Sequence, residues 1–263
     1  MNRIDKKFRE LKKKREKAFI AFIMAGDPSL GVTEKLIFEL EKKGADIIEL
    51  GVPFSDPLAD GPTIQRSSQR ALRNKVNLDK VFGLVKKIRP KTQAPIVFLT
   101  YYNLIYHYGL EKFVSKACSC GVDGVVIPDL PPEESKPLRD IAGKNNFAII
   151  HLAAPTSSRA RLRKILAASR GFIYYVSLTG TTGARKKLPL EISKNLRAIK
   201  MMTKKPVCVG FGISSPAQVA KISGAADGVI VGSAIIKIIE KNRGRKDLVN
   251  KVGNFVRRLK CTR

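Results

Sequence analysis

Long apolar runs are absent from this sequence of 263 residues. No stretch of roughly 18 apolar residues occurs, so no transmembrane helix is predicted. The charged N-terminus is not followed by the apolar core of a signal peptide, and Asp5, Glu10 and Glu16 argue against an acid-poor transit peptide. We therefore expect a protein of the cytoplasm, or of the plastid stroma if it is encoded in the plastid.

Cysteine and histidine are scarce, with four and two residues. Cys118 and Cys120 stand one residue apart within a helical pattern, and neither a second cysteine pair nor a histidine cluster accompanies them. Protein zinc sites are usually built from such additional ligands. We expect no metal site, and thiols that remain reduced.

Acidic residues are few beside basic ones, with 22 Asp and Glu against 50 Lys and Arg and a formal charge of +28. A strongly basic protein attracts nucleic acids and anionic surfaces. Here the basic residues are spread along the whole chain on the polar sides of helical repeats and are not interleaved with aromatics. This pattern favours a solvated cationic surface with no specific nucleic-acid or membrane partner, and a weak attraction for phosphorylated metabolites.

Short apolar runs alternate with helical patterns, which indicates an α/β fold. The predicted strands are residues 19–24, 46–50, 96–100, 124–127, 148–152, 172–176, 207–209 and 228–231, and helical patterns cover 30–43, 110–120, 132–144, 159–169 and 190–202. Continuously apolar strands are typical of a parallel sheet covered on both faces. Eight strand–helix repeats in this length predict a single (β/α)8 TIM barrel as one domain, residues 1–263.

Two further patterns refine this prediction. Ile4, Phe8 and Leu11 recur at helical spacing, so an extra N-terminal amphipathic helix should lie on the body of the barrel. The competing doubly wound sheet would favour Gly-x-Gly-x-x-Gly after the first strand, where residues 25–28 read Ala-Gly-Asp-Pro instead.

The most informative segment is residues 48–65, IELGVPFSDPLADGPTIQ. Glu49 lies at the end of a buried strand, and a stiff loop rich in proline and acidic residues follows it. A buried charged side chain is usually paired with an opposite charge or has a functional role. Glu49 either acts as a general acid/base toward a small ligand or merely caps or pairs with a neighbouring lysine.

In a barrel the loops after the strands form the working face. Asp60 follows the second strand, and further polar or aromatic residues follow other strands: Asp27, Tyr101, Tyr102, Asn103, Asp129 and Thr156. Their shared end of the barrel favours the catalytic interpretation of Glu49.

Glycine-bearing turns follow the last three predicted strands, at residues 177–185, 210–215 and 232–235. Backbone amides at turns and helix N-termini bind phosphate, and barrels often place a phosphate site after strands seven and eight. These positions predict a phosphorylated substrate. Residues 178–185 are either a lid that closes over it or a plain surface loop.

With these residues in view, the chain resembles the α subunits of tryptophan synthase, from Phe22 to Ile235 and most specifically over 49–62 and the three glycine turns. The resemblance implies a lyase that splits indole-3-glycerol phosphate into indole and glyceraldehyde 3-phosphate without a metal or organic cofactor. It implies that Glu49 is the general acid/base and that Asp60 accepts a hydrogen bond from the indole N–H. It also implies an α2β2 assembly in which indole passes to a β subunit that carries pyridoxal phosphate.

The resemblance assigns the remaining site residues. Tyr174 would support catalysis, and phosphate contacts would come from Gly183, Gly212, Gly232 and Ser233. The indole pocket would be lined by Phe22, Leu99, Tyr101, Val126, Leu152, Thr182 and Phe211. The partner surface would include Pro53, Asp56, Pro57 and Asn103.

The chemistry sets a requirement on the two acids. Glu49 must alternate between acid and base, so apolar neighbours such as Ile47, Leu50 and Phe22 should raise its pKa, whereas Asp60 must stay ionised. Three alternatives stay open: another phosphosugar barrel enzyme such as an isomerase, a catalytically silent subunit that activates a partner, and a basic nucleic-acid-binding protein.

Overall fold

The computed structural model describes residues 1–176, 190–210 and 212–260. Its strands are β1 (Ala18–Met24), β2 (Ile47–Gly51), β3 (Ile96–Leu99), β4 (Gly124–Val126), β5 (Ala148–Ile150), β6 (Leu152–Ala153), β7 (Ile173–Val176), β8 (Val207–Gly210) and β9 (Gly228–Val231). Its helices are α1 (Arg3–Lys13), α2 (Leu30–Lys42), α3 (Pro62–Arg73), α4 (Leu78–Ile88), α5 (Tyr102–Tyr108), α6 (Leu110–Cys120), α7 (Lys136–Lys144), α8 (Arg159–Ala168), α9 (Leu190–Met202), α10 (Pro216–Ser223), α11 (Ser233–Lys241) and α12 (Leu248–Lys260). Within these three ranges no helix is both long and apolar enough to cross a membrane.

The strands form one parallel sheet in the order β5-β4-β3-β2-β1-β9-β8-β7-β6. The two ends of this sheet, β5 and β6, are consecutive pieces of chain separated only by His151. Because its two edge strands are adjacent in the chain, they must also be close in space, so the sheet curves into a barrel. The helices form the outer layer of this barrel. The predicted (β/α)8 barrel is confirmed.

The fifth predicted strand, 148–152, was wrong as a continuous element. Its first half pairs with β4, where Ile150 lies opposite Val126, and its second half pairs with β7, where Leu152 lies opposite Tyr174. Between the halves, the amide of His151 donates to the hydroxyl of Ser169 at 3.3 Å. This side-chain bond replaces a ladder bond and interrupts the strand.

Helix α1 closes the barrel at the N-terminal ends of its strands. Ile4, Phe8 and Leu11 are buried as their spacing predicts, and they join the apolar cluster inside the barrel, which includes Ile20 and Val97. Because one end is plugged by these apolar side chains, the opposite end is the one available for a ligand.

Aspartates before three strands hold neighbouring strands in register. The carboxylates of Asp46, Asp123 and Asp227 accept hydrogen bonds from amides at the starts of β1, β3 and β8, at 2.8, 2.9 and 3.0 Å. In this register Phe22 lies beside Glu49. Side chains alternate between the two faces of a strand, so the register decides that Glu49 points into the barrel.

The remaining boundaries agree with the sequence predictions to within one or two residues, except at α7. The pattern over 132–144 predicted a helix from Pro132, but the helix begins at Lys136. Residues 131–135 instead form a turn in which the Ser135 hydroxyl donates to the Pro132 carbonyl at 2.9 Å. A serine bound locally in this way satisfies backbone groups outside the helix.

Candidate active site

Glu49 is a buried carboxylic acid on β2. It is 2% exposed, and neither carboxyl oxygen is hydrogen-bonded to any described residue. Burial is the main cause that raises its pKa to about 8, and the negative charge of nearby Asp60 adds to it. No lysine of the described residues pairs with Glu49, and its raised pKa agrees with the effect expected from apolar surroundings.

Asp60 lies on the loop that joins β2 to α3 and is partly exposed. Burial raises its pKa to about 6, while a hydrogen bond with the Tyr101 side chain lowers it. Between about pH 6 and pH 8 the site therefore holds Glu49 protonated and Asp60 ionised. Two nearby acids with separated pKa values can serve as a proton donor and as a fixed negative charge.

The loop that carries Asp60 is held from several sides. Ser68 accepts a hydrogen bond from the amide of Phe54 and donates one to its carbonyl, both at 2.9 Å. The ring of Phe54 stacks on Tyr101 with 5.1 Å between ring centroids. Gln65 donates to the Asp60 carbonyl at 2.9 Å. These contacts restrain the position of the Asp60 backbone.

Tyr174 lies beside both acids on the inner face of β7. Burial, followed by the charges of Glu49 and then Asp60, raises its pKa well above the usual range. Gly210 on neighbouring β8 makes room for its ring. The structure thus places Tyr174 where a supporting residue would be needed, and its predicted role stays a prediction.

The predicted indole pocket is partly described. Leu99, Val126 and Leu152 belong to the apolar cluster inside the barrel, together with Tyr174. The ring of Phe22 packs against the turn at Gly232. Thr182 and Phe211 lie outside the described residues.

Two of the predicted phosphate turns are described, and they follow adjacent parallel strands. Gly212 lies just after β8 and is exposed with a φ of +24°, and Gly232 ends the turn after β9. Ser233 is the first residue of α11, and no described side chain caps that helix. Its first amides are thus available to an anion at the open end of the barrel. Gly183 lies outside the described residues, as does the whole segment 178–185.

Two acids predicted at this face serve as anchors. The Asp27 carboxylate accepts bonds of 2.8 and 2.6 Å from Arg70 and one of 2.5 Å from Ser67. The Asp129 carboxylate accepts the amide of Tyr102 at 2.9 Å and thereby caps α5. Their oxygens are committed to holding α3 and α5, so these two acids support the face and are not free to act on a ligand.

The predicted partner residues differ in exposure. Asp56 and Asn103 are exposed and Pro57 is half-buried, but Pro53 is buried within the chain. Sequence reasoning missed Leu58 and Tyr106, which are 91% and 67% exposed on the same loop and on α5. Within the described ranges, no three His, Cys, Asp or Glu side chains gather as metal ligands.

The comparisons with known proteins agree with this geometry. The family model described as tryptophan synthase alpha chain matches residues 8–262. The tryptophan synthase alpha chain of Geotalea uraniireducens (strain Rf4) is 50% identical over 261 residues, which are 99% of this chain and 97% of that relative. The corresponding chain of Caldanaerobacter subterraneus subsp. tengcongensis is 47% identical over 256 residues, with 97% of each chain covered.

Solved structures give the same result. The crystal structure of tryptophan synthase subunit alpha from Legionella pneumophila str. Paris superposes with a TM-score of 0.93 at 38% identity, covering 100% of this chain and 98% of that one. A chain of the tryptophan synthase complex from Pyrococcus furiosus superposes with a TM-score of 0.85 at 38% identity, covering 92% and 97%. This chain therefore belongs to the tryptophan synthase alpha chain family.

Proposed function

We propose that this chain cleaves indole-3-glycerol phosphate to indole and glyceraldehyde 3-phosphate in the last stage of tryptophan biosynthesis. The observation that carries the proposal is the pair of acids at the open end of the barrel, Glu49 with a pKa near 8 and Asp60 with one near 6. At neutral pH this pair offers one proton and one negative charge, which are the two groups that the reaction requires.

Breaking the carbon–carbon bond requires indole to leave as a neutral molecule, so its ring carbon C3 must first take a proton. Protonated Glu49 supplies that proton, and positive charge then develops on the ring nitrogen. Ionised Asp60 accepts the ring N–H and stabilises this charge. A well-placed group of this kind contributes about 3–4 kcal/mol to the transition state.

The second half of the reaction returns the proton. The electron pair of the breaking bond goes back to the indole ring, while the carbon that is released becomes an aldehyde. The proton of its hydroxyl passes to the Glu49 carboxylate, so Glu49 ends each cycle protonated as it began. Every transfer uses side chains of this chain and the substrate alone, and the step needs no cofactor.

The turns at Gly212 and Gly232 are proposed to bind the phosphate, together with Ser233 and with Gly183 of the segment outside the described residues. Amides at a helix N-terminus donate to phosphate oxygens, and the positive end of the helix dipole favours the charge. The inner apolar side chains and Phe22 would surround the indole ring. Anchored at both ends, the substrate would present C3 to Glu49.

We also infer that the chain works with a tryptophan synthase β subunit that carries pyridoxal phosphate. Solved relatives from Pyrococcus furiosus include a complex named as an α2β2 assembly. Exposed residues beside the site, Asp56, Leu58, Asn103 and Tyr106, supply a contact surface on which indole could pass to that partner.

The test is incubation of the purified chain with indole-3-glycerol phosphate, with and without a β subunit. Because the sequence contains no tryptophan, this chain itself adds only tyrosine to the background when indole release is followed by fluorescence. We expect slow release alone and faster release with the partner. No indole in either case would refute the lyase, and acceleration of the partner in that situation would identify a silent activating subunit.

A further inference from the structure

Tyr101 has contacts that a simple wall of the indole pocket would not require. The residue immediately precedes α5 at the end of β3 and is buried. Its ring stacks on Phe54, and its hydroxyl oxygen accepts the amide of Ala59 at 3.0 Å. Both contacts reach the loop that carries Asp60, so Tyr101 holds that loop at two points.

The hydroxyl has a second use. A phenol carries one proton to donate and oxygen lone pairs that accept. The Ala59 amide occupies the accepting side, which leaves the phenolic proton to donate, and the Tyr101 side chain lowers the pKa of the neighbouring Asp60. An ionised carboxylate can only accept, so the phenol is the donor in its interaction with Asp60. The hydroxyl therefore interacts with both a fixed backbone amide and the Asp60 carboxylate.

This bridge has an electrostatic consequence. Burial raises the pKa of Asp60, and the bond from Tyr101 opposes that rise. Burial and the charge of Asp60 raise the pKa of Tyr101 itself above its usual range, so the phenol keeps its proton at working pH. The donor is thus present whenever Asp60 is ionised.

We propose that Tyr101 is a positioning residue whose hydroxyl clamps the 59–60 turn and aims the Asp60 carboxylate into the open end of the barrel. The inference rests on the proposed function for its catalytic meaning, but the clamp itself is a property of the free protein. It assigns to the hydroxyl a role distinct from that of the ring.

The test variant is Tyr101→Phe, which keeps the ring stacked on Phe54. Its matched control is Tyr108→Phe, because the Tyr108 hydroxyl also donates to an aspartate, Asp79 at 2.8 Å, on the protein surface. In carbon-13 NMR titrations without substrate, we expect the Asp60 midpoint to rise by about one pH unit in Tyr101→Phe only. Hydrogen exchange at the Ala59 amide should also become faster in that variant, while both variants melt close to wild type.

Turnover gives the catalytic readout. Tyr101→Phe should lower kcat on the order of tenfold with little change in KM, because Asp60 acts on charge that develops only in the transition state. The acidic limb of its pH profile should shift upward with the Asp60 midpoint. The control should match wild type in all of these.

The outcomes separate the two proposals. An unchanged Asp60 midpoint and unchanged Ala59 exchange in Tyr101→Phe would overturn the clamp, whatever happens to turnover. A shifted midpoint in a protein that never releases indole, with or without a β subunit, would leave the clamp standing and overturn the proposed reaction.

Discussion

Gly210 and Tyr174 face each other on adjacent strands with no room for a methyl group between them. A Cβ built on Gly210 would lie 2.7 Å from Cε1 of Tyr174. Such a contact forces either the ring or the strand to move. Since Tyr174 lies beside Glu49 and Asp60, the glycine keeps space for an aromatic ring at the centre of the site.

Gly210→Ala should therefore destabilise the protein by about 1–3 kcal/mol and lower turnover, because the displaced ring disturbs both acids. Chemical denaturation and the indole assay measure the two effects. Gly83→Ala is the control, since Gly83 lies within α4 with nothing within 4 Å of the added Cβ. It should be neutral or more stable by about 0.5–1 kcal/mol. Equal stability of the two variants would contradict the packing argument.

The catalytic activity should show a bell-shaped dependence on pH. Asp60 must be ionised and Glu49 protonated in the free enzyme, so kcat/KM should rise through about pH 6 and fall through about pH 8. The two acids interact, so the observed midpoints belong to the pair. Steady-state rates from pH 5 to 9 test this, and a profile that stays flat across that range would contradict the assignment.

Because Glu49 is buried, the free energy of unfolding should also fall as the pH rises. The folded-state pKa of Glu49 is raised from 4.5 to about 8, so the folded state holds a proton that the unfolded state has lost. Stability falls across this window, by at most about 1.4 kcal/mol per pH unit. Glu49→Gln removes the titration, so it should be more stable than wild type at pH 8 and gain little at pH 4, while its turnover falls by orders of magnitude.

Urea denaturation at several pH values measures that gain. Glu134→Gln, at an exposed position of the turn before α7, is the matched control; it keeps Glu49 and should follow the wild-type stability curve. If Glu49→Gln follows the wild-type stability curve at every pH, or keeps near-normal turnover, Glu49 is not the buried proton carrier described above.

Features set by neighbouring residues in the chain were predicted from the sequence. Features set by contacts between residues far apart in the chain were missed. Glu49 at the end of an apolar strand and the spacing of Ile4, Phe8 and Leu11 are local signals, and both led to correct positions. The interruption at His151 depends on Ser169, which is 18 residues away and carries no local mark of that role.

Asp27 shows the same limit within the site. Its position after β1 placed it at the working face, but the sequence did not show that Arg70, 43 residues later, takes both carboxylate oxygens. Tyr101 was likewise predicted only to line the indole pocket. The role of its hydroxyl was missed because the amide that it binds belongs to a different loop. Side-chain pairing across elements is fixed by packing, which a single sequence does not display.

The Arg70–Asp27 pair should contribute more to the stability of the fold than any surface ion pair. Asp27 is 1% exposed, so Arg70→Met would leave a buried carboxylate without its cation, at a cost of about 3–5 kcal/mol. Lys87→Met breaks the pair with Glu34 on the surface and should cost less than about 1 kcal/mol. Denaturation of the two variants measures the difference, and similar small losses would show that water replaces Arg70 at Asp27.

Leu58 provides the test of the partner surface. It is 91% exposed on the loop that carries Asp60, so Leu58→Asp should leave the fold intact but place a charge where a β subunit would bury an apolar side chain. We expect weaker binding, by about tenfold or more, and loss of the rate increase given by the partner, with basal indole release retained.

Met201→Asp is the control, since Met201 is 85% exposed on α9, away from this loop. Calorimetric titration with a β subunit measures the affinities. Equal affinity of both variants would place the partner surface elsewhere, whereas loss in Met201→Asp alone would move it to the face that carries α9.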